Sequence, residues 1–166
     1  LLDYNRKQAD GPVAREAVDL VELVENVVAA HSLPARAKLM HTELTLQARR
    51  CLAEPALLIS VMDNLHSNAV HYGAESGNIR IHSYRHGDQV RIDVANSGEP
   101  IPAAEKNMIF EPFYQGSHQR KGAVKGSGLG LSIARDCVRQ MQGELSLVDA
   151  PAGQVCFRIT LPSAPE

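Results

Sequence analysis

A chain of 166 residues is about the size of one domain, at roughly 150 residues each. Hydrophobic residues at 44 % and charged residues at 22 % exclude wholesale disorder, and 4 % aromatics with no Trp supply a base-stacking platform poorly. A net charge of −2 excludes a global field that would draw the chain onto nucleic acid, so no nucleic-acid partner is expected.

Residues 1–7 read as the tail of a helix, which Gly11-Pro12 breaks. From Asp19, a good N-cap, Leu20, Leu23, Val24, Val27 and Val28 recur at helical spacing, giving a helix that stops before Pro34. Residues 43–48 alternate, with Leu44 and Leu46 on one face, and predict a short strand. A second helix is predicted from Pro55, in its first turn, to Tyr72, with Leu57, Val61, Leu65 and Ala69 along its apolar stripe. Two strands follow, one holding Ile79, Ile81 and Ser83, the other Val90, Ile92 and Val94, with His86-Gly87-Asp88 as a hairpin turn.

Residues 96–130 differ in kind. They hold Gly98, Gly116, Gly122, Gly126, Gly128 and Gly130, with only a short helix expected near 103–109. A non-repetitive stretch of that length in a compact domain is usually functional or disordered. A third helix is predicted over 129–142, ended by Gly143 as a left-handed cap, then strands over 144–148 and through Val155, Phe157, Ile159 and Leu161. Three main helices and five strands predict an α/β two-layer sandwich: a mixed five-stranded sheet with helices on one face. Cys51, Cys137 and Cys156 form no C-x-x-C pair and read as buried thiols.

Three constellations can carry chemistry. Asn64 and Asn68, one helical turn apart and followed by His71 and Tyr72, place two amides on one face. An amide oxygen is a hard, neutral ligand that Mg²⁺ accepts beside phosphate oxygens, although two solvated asparagines would look the same. The run from Asn96 through Gly98 to Ile101 turns sharply at a strand end and can present an acceptor to a pocket floor, as any strand exit can. Gly126-Ser127-Gly128-Leu129-Gly130-Leu131 leads straight into a helix, so bare N–H groups and the helix dipole can meet an anion. His118, Arg120, Lys121 and Lys125 bring cations toward the same point, and the spacing fits neither G-x-G-x-x-G nor a P-loop.

Taken in order, the asparagine helix, the Asn-x-Gly turn, Phe110-Glu111-Pro112-Phe113 and Gly-x-Gly-Leu-Gly-Leu resemble the N, G1, F and G2 boxes of the ATP-binding domain of sensor histidine kinases, which has the Bergerat (GHKL) fold. The resemblance covers residues 19–162, and the segment 111–126 looks like the lid of QseE/GlrK-type sensor kinases of enteric bacteria. It implies ATP and Mg²⁺ as cofactors, with Asn68 as the metal ligand and Asn64 near the phosphates. His71 stands where the family usually has Lys, Tyr72 would pack on adenine, and Asn96 takes the place of the adenine-reading Asp, with Gly98 and Ile101 beside it. Phe110 and Phe113 would anchor the base of a mobile lid. Arg120, Lys121 and Lys125 would cover the γ-phosphate, the two lysines acting with Asn68 in catalysis. Gly126, Gly128, Leu129, Gly130 and Leu131 would frame the triphosphate.

Two positions depart from the family pattern: Asn96 replaces the turn's Asp, and Pro100 replaces its second Gly. An Asn oxygen still accepts from the adenine amino group, but it is neutral and its own NH₂ needs an acceptor. His71 would be only partly charged near neutral pH, making its phosphate contact pH-dependent.

Relatives of this fold that hydrolyse ATP carry a glutamate general base four residues before the metal-binding Asn. Here that position is Asn64, which cannot take a proton, so phosphoryl transfer to histidine is favoured over hydrolysis. None of the seven histidines (31, 41, 66, 71, 82, 86 and 118) begins the family's phosphoacceptor pattern. The resemblance therefore implies that residues 1–10 are the tail of the dimerisation and phosphoacceptor helix, and that 11–166 are the catalytic ATP-binding domain, inactive alone. Its partners would be its own histidine phosphotransfer domain and a response regulator, in the cytoplasmic part of a homodimeric inner-membrane protein. The alternative is a non-catalytic nucleotide-sensing module that regulates a partner.

Overall fold

The computed structural model describes residues 13–112, 114 and 130–165. In chain order these form β1 (Glu16–Asp19), α1 (Leu20–Ala30), α2 (Ser32–Ala37), β2 (His41–Leu46), β3 (Arg50–Ala53), α3 (Pro55–Tyr72), β4 (Asn78–His86), β5 (Gln89–Ser97), a 3₁₀ turn (Ala103–Glu105), α4 (Gly130–Gln140), β6 (Glu144–Val148) and β7 (Gln154–Pro162). The main sheet is mixed and five-stranded, in the order β2-β4-β5-β7-β6. Among the described strands only β2 and β4 run parallel, and α3 supplies the crossover that a parallel pair requires.

The helix starts follow from local chemistry. Asp19 caps α1 by accepting from Val21 N at 2.9 Å and Glu22 N at 3.1 Å. Glu54 caps α3 by accepting from Leu57 N at 2.7 Å, and Pro55 takes the first helical position, where a missing N–H costs nothing. Along α3, Leu57, Leu58, Val61, Met62, Leu65, Ala69 and Val70 are buried against the sheet. On β5 the buried Val90, Ile92, Val94 and Asn96 alternate with Arg91, Asp93 and Ala95, so one sheet face is core. On the other face Arg158 grips Asp93 with two bonds of 2.9 and 3.1 Å, and Tyr84 Oη donates to the same carboxylate at 3.1 Å. All three cysteines are buried, and none is in a disulfide.

Three expectations are corrected, and two features were missed. The helix from Asp19 does stop before Pro34, at Ala30, but α2 was missed: Pro34 falls in its first turn, where no N–H partner is needed. The strand expected over 43–48 runs from His41 to Leu46 instead, set by parallel pairing with β4. A two-stranded antiparallel sheet, β1 with β3, was missed: each strand is four residues long, too short for alternation to register. The left-handed residue after α4 is Gln142 (φ 63°), not Gly143. Gly143 is required by packing, since a Cβ there would overlap the Thr160 carbonyl and the Leu161 side chain. Within 103–109, only Ala103–Glu105 is helical, as one 3₁₀ turn.

Candidate functional site

The C-terminal half of α3, the end of β5, the turn after it, the start of α4 and β7 converge on one cleft. Asn68, Tyr72, Asn96, Glu99, Ile101, Leu131, Val155 and Phe157 line it. Three of the expected constellations thus meet in space: Asn68 and Tyr72 from the helix, Asn96 and Ile101 from the turn, and Leu131 from the glycine-led helix.

Asn68 lies three residues beyond the fully buried Leu65 and one before the buried Ala69, so it sits at the border of the apolar stripe, half-buried and facing the cleft. Asn64 stands one turn earlier. Its Nδ2 donates to Ser60 O at 2.9 Å, and a Cβ on Gly130 would lie 3.3 Å from its Oδ1, so the asparagine faces the first residue of α4. Asn96 is only 5 % exposed. Its NH₂ finds an acceptor in Ser97 O at 3.1 Å, and among the described residues no donor meets its Oδ1. That is the arrangement of a buried acceptor facing a cleft.

Gly98 is held by its N–H, which donates to Gly153 O at 2.9 Å. A Cβ there would stand 3.1 Å from Tyr72 O, so glycine allows the turn to sit directly on the end of α3. Tyr72 packs edge-on against His71, ring centroids 4.6 Å apart, and burial raises its phenol above the ordinary range. Burial, and then the neighbouring Lys38 ammonium, push His71 below the ordinary imidazole value. Both causes favour the neutral imidazole over the charged one. It does not line the cleft.

Phe110 is half-buried and meets Phe157 edge-on at 6.1 Å, with the Arg135 guanidinium 4.9 Å above its ring. The remaining predicted residues (Phe113, His118, Arg120, Lys121, Lys125, Gly126, Gly128 and Leu129) lie outside the described residues, as do residues 1–10. Glu99, Val155 and Phe157 were not expected in the site. Val155 enters because the β5–β7 register sets it opposite Asn96, and only strand pairing carries that information.

The donor set suits a hard, phosphate-bridged cation. Among the described residues no group of three or more His, Cys, Asp or Glu could hold a metal, whereas the Asn68 amide oxygen on the cleft wall is a hard, neutral donor of the kind Mg²⁺ accepts when phosphates and water complete its shell.

Residues 53–165 match the family model for histidine kinase-, DNA gyrase B-, and HSP90-like ATPases, and the chain belongs to that family. It is 71 % identical over 164 residues, 99 % of its length, to sensor histidine kinase GlrK of Escherichia coli K12. It spans 34 % of that relative's length. Among solved structures, the catalytic domain of histidine kinase ThkA superposes with a TM-score of 0.79 at 28 % identity, covering 92 % of this chain and 98 % of that one. ThkA in complex with the response regulator protein TrrA superposes at 0.73 and 28 % identity, over 91 % of this chain and 42 % of that one. The fold is thus that of histidine kinase catalytic domains, and this is an ATP-binding domain of that type. Among the described residues no helix is long and apolar enough to cross a membrane.

Proposed function

We propose that this domain binds ATP with Mg²⁺ and transfers the γ-phosphoryl group to a histidine on a separate helical domain, for relay to a response regulator. The observation that carries the reading is the convergence of Asn68, Tyr72, Asn96, Ile101 and Leu131 on one cleft. Tyr72 and Ile101 would flank the adenine, and the buried Asn96 Oδ1 would accept from its amino group. Asn68 would hold Mg²⁺, which neutralises charge on the phosphates when bound. Asn64 would stand near the phosphates, and Gly126, Gly128, Leu129, Gly130 and Leu131 would frame them with backbone N–H groups and the α4 dipole. Phe113 would anchor the lid base beside Phe110, with Arg120, Lys121 and Lys125 closing over the γ-phosphate. His71, with its neutral form favoured by burial and by Lys38, would contribute chiefly a polar contact.

With Asn64 unable to accept a proton, nothing at that position activates water, while an imidazole acceptor already has its lone pair. The chemistry left to the domain is positioning and charge neutralisation. Residues 1–10 would continue the phosphoacceptor helix, and the whole protein would be a homodimer at the inner membrane. The presence of Asn68 together with the glycine frame supports catalysis over a purely sensing role.

Mixing the 166-residue chain with the separately supplied histidine-bearing helical domain and γ-labelled ATP is expected to label the helical domain alone. Label on the 166-residue chain itself would refute the reading. Replacing Asn96 by alanine is expected to weaken ATP binding about tenfold in calorimetry, by removing the acceptor for the adenine amino group. The unaltered chain should prefer ATP to GTP. An unchanged ATP affinity in the variant would remove Asn96 from the site.

A further inference from the structure

Lys38 belongs to none of the four motif segments, yet its ammonium holds the end of the helix that builds the cleft. It is half-buried and follows α2, just before Leu39, whose left-handed backbone (φ 57°) turns the chain toward β2. Lys38 Nζ donates to Val70 O at 2.8 Å, His71 O at 2.9 Å and Gly73 O at 2.7 Å. A helix C-terminus leaves its last carbonyls without intrahelical donors and carries the negative end of the dipole, and one ammonium answers both. The backbone of the same residue is fixed as well, since Ser76 N donates to Lys38 O at 2.9 Å.

The carbonyl between these three, that of Tyr72, points elsewhere. It abuts Gly98, while Ala74 N donates to Ser97 O at 2.8 Å. The end of α3 is thus clamped between a lysine on one side and the Asn96–Gly98 turn on the other. Met40, two residues after Lys38, packs against Gly73 so closely that a Cβ there would overlap its methyl group. A shift of this last helical turn would move Tyr72 and the turn together.

We infer that Lys38 is a positioning residue for nucleotide binding, fixing the last turn of α3 so that Tyr72 and the Asn96–Gly98 turn form the adenine side of the cleft. The inference rests on the nucleotide reading above and goes beyond it by adding a residue outside the recognised motifs. It separates the two ends of the nucleotide: the lysine holds the adenine side, whereas Asn68 lies one turn earlier on α3.

The test compares Mg·ATP with Mg·tripolyphosphate, which lacks the nucleoside, by calorimetry below the melting midpoint of each variant. Lys38→Met keeps the aliphatic stem and removes the charge and donors. It is expected to weaken ATP binding roughly fivefold or more and to change tripolyphosphate binding by less than about twofold. Lys38→Arg, which restores a cation with several donors, should return ATP affinity to within about twofold of the unaltered chain. Lys38→Gln, which keeps an N–H donor without charge, carries the same comparison if the methionine variant does not fold. Equal ATP affinity in the variant and the unaltered chain, parallel losses for both probes, or no recovery with arginine would overturn the inference. If the unaltered chain bound neither probe, the nucleotide reading itself would fall.

Discussion

Asn68→Ala is expected to lower Mg·ATP affinity by about 10- to 100-fold, while affinity measured with EDTA present changes little. The asymmetry follows from what the side chain can do. A carboxamide oxygen contributes no charge of its own, so without the cation it offers the nucleotide one weak polar contact. With the cation it completes a shell of phosphate and water oxygens, and its loss leaves one fewer protein ligand. Asn68 is half-buried at the border of the apolar stripe, so alanine, the best helix former, should leave α3 intact. Thermal unfolding of the variant within a few degrees of the parent would confirm that binding alone has changed. Equal losses with and without EDTA would mean that Asn68 touches the nucleotide and not a metal.

The second large effect is on stability and involves a residue outside the cleft. His66, on α3, is fully buried against His31 and Thr42 of β2. Its Nε2 lies 3.3 Å from Thr42 Oγ1, and among the described residues its Nδ1 has no partner. The ring of His31 stands 5.3 Å away, and His31 Nε2 is 2.7 Å from Asp63 Oδ1. Burial, reinforced by His31 and opposed by Asp63, pushes the His66 imidazole down to about 4. In the unfolded chain it titrates near 6.5, so between those values the unfolded state binds the extra proton and stability falls with falling pH. The loss should reach about 2 kcal/mol by pH 5 and about 3 kcal/mol by pH 4, with none above pH 7. Urea midpoints at pH 7, 6 and 5 measure it. His66→Leu removes the titrating group and should flatten that slope, and identical acid sensitivity in parent and variant would exclude His66 as its source.

Where a segment's neighbours in sequence decide its conformation, the amino-acid order was sufficient. Asp19 and Glu54 cap their helices with their own side chains, Pro55 begins α3, and the stripe from Leu57 to Ala69 runs its full length. Gly87 (φ 66°) makes the two-residue β4–β5 turn. The site was legible for a related reason. Asn64, Asn68 and Tyr72 share one helix, Gly98 follows Asn96 within a turn, and Gly130 and Leu131 open another helix, so short spacings carry most of the pattern.

What the order of residues could not decide was which distant segments touch. Pro34 hid α2, although its missing N–H matters only if an acceptor waits one turn back, and α2 begins late enough that none does. Gly143 looked like a left-handed cap, yet its reason is the Thr160 carbonyl of a strand met only after folding. His71 is shifted toward its neutral form by burial and by Lys38. Val155 joins the cleft through register, and Lys38 reaches α3 across more than thirty residues. Periodicity, caps and turns are local energies written along the chain. Burial, register and a single ammonium answering three carbonyls are long-range terms, and only the assembled sheet and helices set them.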